Sequence, residues 1–148
     1  MGLLTAEGPA GNDRLTQALE RNFGWAAFRP GQRPVVEALL AGQDCLAVLP
    51  TGGGKSLCYQ LPALVRQGLV LVISPLVALM QDQVRQLERR GIAAACLHRG
   101  LSTPERRQLL QRLRDNRLRL LYLAPERLQA EATRQLLDDV LASGNLVA

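Results

Sequence analysis

The chain contains one lysine and seventeen arginines, and the lysine, Lys55, stands inside Leu49-Pro-Thr-Gly-Gly-Gly-Lys-Ser56. Positive charge elsewhere is carried by arginine, a bias of the kind that genome composition produces. A position that resists the bias needs a compact ammonium with three rotatable donors, where a planar guanidinium does not fit. A phosphate-binding loop is such a place, because its lysine must pass backbone amides to reach the outer phosphates of a nucleotide. Gly52, Gly53 and Gly54 let the backbone turn sharply and present N–H groups to phosphate oxygens. Thr51 belongs to the same turn, and the Ser56 hydroxyl is the group that would hold magnesium. The segment departs from the general pattern at Leu49, where a leading glycine is usual. The plainer alternative is a glycine-rich turn with a chance lysine.

The context expected for such a loop is a buried strand before it and a helix N-terminus after it, whose dipole favours an anion. Residues 45–49 form a short apolar run without polar alternation, which predicts a strand buried on both faces. A helix is expected from Lys55 onward, kinked or ended by Pro62. Further strands are predicted over 69–73, 93–97 and 119–123. Helices are predicted over 13–22, 32–40, 76–90 and 131–141, the third with Leu76, Leu79, Met80, Val84 and Leu87 on its inner face. Ser102-Thr-Pro-Glu105 reads as a capping box that opens another helix, with Leu109, Leu110 and Leu113 inward and Arg106, Arg107, Arg112 and Arg114 outward. This alternation predicts an α/β fold, a parallel sheet wrapped by helices. Residues 1–11, rich in Gly, Ala and Pro, are expected to form a loose tail.

At 148 residues, 47% hydrophobic and 21% charged, the chain has the composition of one globular domain. Its net charge of +5 suits a polyanionic partner such as nucleic acid, though many basic proteins bind nothing anionic. The arginines between Arg99 and Arg119 form a locally basic region that reads as a solvated helix face. Cys45, Cys58 and Cys96 are single, and His98 is the only histidine. This predicts neither a zinc site nor a disulfide framework, and a reducing cytoplasm. No signal peptide is visible at the start of the chain, and the apolar stretch 69–80 is too short to span a bilayer.

Four segments together resemble one family. They are Phe23-Gly-Trp-Ala-Ala-Phe-Arg-Pro-Gly-Gln32, Leu49-Pro-Thr-Gly-Gly-Gly-Lys-Ser-Leu-Cys-Tyr-Gln60, Val72-Ile-Ser-Pro-Leu76 running on to Met80-Gln-Asp-Gln-Val84, and Leu121-Tyr-Leu-Ala-Pro-Glu-Arg-Leu128. In order and spacing they resemble the RecQ family of superfamily 2 DNA helicases, where Pro-Thr-Gly often replaces the leading glycine. The resemblance implies a RecA-like P-loop lobe that uses ATP and Mg2+ to act on single-stranded or forked DNA in repair and recombination. It implies that Gln32 reads the adenine edge, for which a bidentate amide is suited. Trp25 and Arg29 would enclose the ring by stacking, although Trp25 read without the family is also a candidate core aromatic, like Phe23 and Phe28. Lys55 would be the catalytic lysine of the phosphate loop. Ser74 and Pro75, with Pro125, Glu126 and Arg127, would line the DNA path. Without the family these are two strand-to-helix turns and a surface ion pair. A bacterial-type, cytoplasmic, nucleoid-associated protein is implied.

The family's Asp-Glu-Ala-His box is not found, and no Asp-Glu pair occurs in the chain. Residues 12–148 are therefore expected to form a partial helicase ATP-binding domain, cut before that box and with its sheet incomplete at the C-terminus. On that expectation the isolated chain carries half a nucleotide site and hydrolyses ATP negligibly. Two alternatives stay open: a non-catalytic nucleotide- or DNA-binding module, and a fragment of another superfamily 2 helicase acting on RNA.

Overall fold

The computed structural model describes residues 13–148, so the expected tail over 1–11 lies outside the described residues. Helix α1 spans Arg14–Phe23, capped where the Asp13 carboxylate accepts the Thr16 N–H at 2.9 Å. Helix α2 spans Gln32–Leu40 and packs on α3, Lys55–Arg66. Strand β1 is Val70–Ile73, followed by α4, Val77–Arg89. Strand β2, Ala94–Leu97, leads through the capping box of Ser102 and Glu105 to α5, Thr103–Arg114. Strand β3, Leu120–Leu123, runs into a 3-10 turn, Pro125–Gln129, and then α6, Glu131–Ala142.

The three strands are parallel in the order β1-β3-β2, with Ile73, Leu123 and Leu97 in register. Strand alternation sends β3 side chains to two cores. Leu120 and Tyr122 face a cluster with Leu19, Val36, Leu61 and Met80, while Leu121 and Leu123 face one with Leu109, Leu113, Leu136 and Val140. The predicted parallel sheet between helical layers is what forms.

Three expectations are corrected. Residues 45–49 are not a buried strand: they are extended without a ladder, with Leu46 93% and Val48 88% exposed. Strands form only where a neighbour offers backbone partners. The nearby sheet edge is the segment 145–148, which hydrogen-bonds along β1 from Leu69 N–H to Asn145 O at 2.8 Å and from Leu71 N–H to Ala148 O at 2.9 Å. Cys45 and Val147 share a cavity of about 360 Å3 where pairing would have closed the gap. Pro62 does not end α3, because the helix continues to Arg66. Its neighbours Leu61 and Ala63 are fully buried, and that packing offsets a proline cost of about 3 kcal/mol. Finally, Leu76 and Leu79 are exposed, whereas Met80 and Leu87 are buried. The approach to α4 and its first turn overhang the end of β1, where Ile73 is itself exposed.

Candidate nucleotide site and strand-end loops

The loop before α3 turns on Gly52 and Gly54, at φ of +77° and +72°, a region L-residues rarely enter. Gly53 N–H donates to Pro50 O at 2.9 Å and closes the turn. Gly54 then stands at the head of α3 with no side chain capping the helix, so the N-terminal amides remain available to an anion. Lys55, the first helical residue, is exposed and donates to Pro50 O at 3.3 Å. Ser56 is half-buried beside it, and Thr51 is exposed on the loop's rim.

Of the three residues expected on the base side, Gln32 and Arg29 contact this same loop, and Trp25 lies beside Arg29. Gln32 opens α2, fully buried. Its Oε1 accepts the Arg29 N–H at 2.7 Å, and its Nε2 donates to Gly54 O at 3.0 Å. The Arg29 guanidinium donates to Gly52 O at 2.6 Å and lies 5.8 Å from the Trp25 ring centroid. Trp25, 39% exposed, stacks on buried Phe23 at 5.8 Å. Sequence reasoning placed Gln32 toward a base edge. What it missed is that the amide also holds the loop's carbonyls, so a base can take the amide face only as the Gly54 contact opens.

Ser74 and Pro75 follow β1, and Pro125, Glu126 and Arg127 follow β3, so pairing of these strands brings the two groups side by side. Ser74 N–H donates to Leu123 O at 3.1 Å, and the Ser74 hydroxyl oxygen accepts the Leu76 N–H at 3.3 Å. The Glu126–Arg127 ion pair of the alternative reading is not formed, and Arg127 Nε is buried without a partner among the described residues. An orphaned guanidinium N–H at the C-terminal edge of a parallel sheet suits an incoming oxyanion.

Nearby, His98 follows β2 and accepts the Gly100 N–H on Nδ1 at 3.0 Å. Its Nε2 lies 3.1 Å from Gln81 Nε2. Cys96 is buried, and desolvation pushes its thiol up to about 11. A polar chain that sequence reasoning missed crosses the first core. Tyr59 donates to Gln83 Oε1 at 2.7 Å, and Gln60 Nε2 donates to the Tyr122 hydroxyl at 3.3 Å. The signal was two phenols at positions where periodicity asks for apolar residues.

Comparison with known proteins gives the family. Residues 29–144 match the model of the DEAD/DEAH box helicase family. The chain is 56% identical over 128 residues to an ATP-dependent DNA helicase RecQ of Synechocystis sp., covering 86% of this chain and 27% of that protein. It is 48% identical over 118 residues to a probable ATP-dependent DNA helicase RecS of Bacillus subtilis, covering 79% and 23%. Against an ATP-dependent DNA helicase RecQ of Haemophilus influenzae the identity is 47% over 119 residues, covering 80% and 19%. The chain thus spans about a quarter of these relatives' length or less. A crystal structure of the DUF1998 helicase MrfA bound to DNA superposes with a TM-score of 0.63 at 21% identity, over 84% of this chain and 18% of that one, a likeness of fold. No helix among the described residues is long and apolar enough to cross a membrane.

Proposed function

Given that the chain belongs to the DEAD/DEAH box helicase family, and within it to the RecQ type, we propose that it carries the adenine- and phosphate-binding half of an ATP site. That site would serve an ATP-dependent DNA helicase acting in the cytoplasm on single-stranded or forked DNA. The observation that carries this reading is the junction of Trp25, Arg29 and Gln32 with the Gly52–Gly54 turn, through Arg29 to Gly52 O and Gln32 to Gly54 O. Residues distant in sequence are gathered where an adenine and its phosphates would lie together.

In this reading Trp25 and Arg29 take the adenine between an indole face and a guanidinium plane. Gln32 exchanges its loop carbonyl for the base edge, which selects adenine by its donor and acceptor pattern. The amides from Thr51 to Ser56 and the Lys55 ammonium hold the phosphate oxygens. The Ser56 hydroxyl would hold magnesium, which supplies charge neutralisation between phosphates when bound. Ser74, Pro75, Pro125, Glu126 and Arg127 would line the DNA track.

Trp25 is the only tryptophan and reports on the pocket directly. Titration with Mg2+ and ATP should give a saturable change in its emission, GTP should give little, and Lys55→Ala should weaken the response at least about tenfold. A folded chain whose emission ignores ATP would overturn the reading.

A further inference from the structure

The chain has two tyrosines, and the fold sets them in contact, ring centroids 6.4 Å apart and edge to face. Tyr59 lies one turn beyond Lys55 on α3 and is bound through its hydroxyl to Gln83 of α4. Tyr122 is fully buried in β3 and receives Gln60 from the same α3. The four side chains therefore join the phosphate-loop helix to two other elements. One is the helix that the Ser74 loop enters, and the other is the strand that runs into Pro125–Gln129.

Phenylalanine would fill either tyrosine position without desolvating a hydroxyl, a cost of about 1–3 kcal/mol when the group is unpaired. Packing thus explains the rings and leaves the hydroxyls unexplained. Both are paired, and burial raises both phenols, so they remain O–H groups at neutral pH.

We propose that Tyr59 is a positioning residue. With Gln83, Gln60 and Tyr122 it ties the start of α3 to the two strand-end loops, so that nucleotide on one side and single-stranded DNA on the other alter each other's affinity. This rests on the nucleotide and DNA reading above. A displacement of the α3 N-terminus on phosphate binding is carried by the Tyr59 hydroxyl to Gln83, and so to α4 and the Ser74 loop. Linkage makes the effect reciprocal.

The test measures Mg-ATP affinity of the full chain, alone and with saturating oligothymidylate, and takes the ratio. Wild type should show a ratio of about fivefold or more. Tyr59→Phe should return it to within about twofold of one, with ATP affinity in the absence of DNA and thermal midpoint near wild type. Gln83→Leu, which removes the acceptor from the opposite side, should do the same. Val140→Ala, a cavity in the other core, should keep the wild-type ratio despite its lower stability. An unchanged ratio in Tyr59→Phe overturns the proposal, as does a wild-type ratio of one when both ligands bind; either leaves the site reading standing. A folded wild type that binds neither ligand overturns both.

Discussion

A single backbone position touches both halves of the proposed nucleotide site. A Cβ built on Gly54 would lie 2.4 Å from Gln32 Nε2 and 3.8 Å from Arg29 Cδ. The residue's φ of +72° adds a second constraint, since a left-handed alanine costs about 1–2 kcal/mol. Gly54→Ala therefore pushes the base-reading amide off its seat and deforms the phosphate turn together. Its ATP affinity, read by Trp25 emission, should fall at least about tenfold, with the preference for ATP over GTP reduced. Adenine selectivity kept at the wild-type level in this variant would show that Gln32 acts independently of the loop.

At the scale of elements, two apolar runs of similar sequence character met different fates. β3 lies between two strands and under helices on both faces, with Leu121 fully buried. Leu121→Ala should cost about 3 kcal/mol in denaturant unfolding. The run over 45–49 has no ladder, so Leu46→Ala should stay within about 0.5 kcal/mol of wild type; a loss comparable to that at Leu121 would mean that 45–49 is packed in solution. This contrast marks where sequence reading stops. Apolar runs located β1, β2 and β3 to within a residue of their starts, and Ser102 and Glu105 announced their capping box in residue type alone. Apolarity says that a segment wants cover. It does not say what lies opposite, which decided 45–49, Pro62 and Leu79. The proposed site is drawn from residue types alone, from Trp25 to Arg127. The contact of Gln32 with Gly54 was not legible there, because it joins residues whose nearness only the packing of α2 on α3 creates.

For the molecule as a whole, the ligands of a nucleotide triphosphate outnumber the groups that could break it. The loop and base pocket offer amides, an ammonium and a hydroxyl. Hydrolysis also needs a carboxylate to complete the magnesium site and orient water, and no Asp-Glu pair occurs in the chain. The chain assayed alone should release phosphate at background rate with or without DNA. Robust DNA-stimulated release that Lys55→Ala abolishes would refute this.

The order of the sheet has a consequence in time. β3 is the middle strand and the last of the three in sequence, and β1 and β2 bond to it and not to each other. During synthesis the first two strands therefore leave the ribosome with no rung to join. They depend on α3, α4 and α5 for cover until Leu120–Leu123 arrives and completes both ladders at once. Translation between β1 and β3 is thus an interval in which apolar backbone stands open to wrong partners. A pause there exposes this protein to misassembly more than one after β3, which leaves open only the β1 edge that residues 145–148 later join.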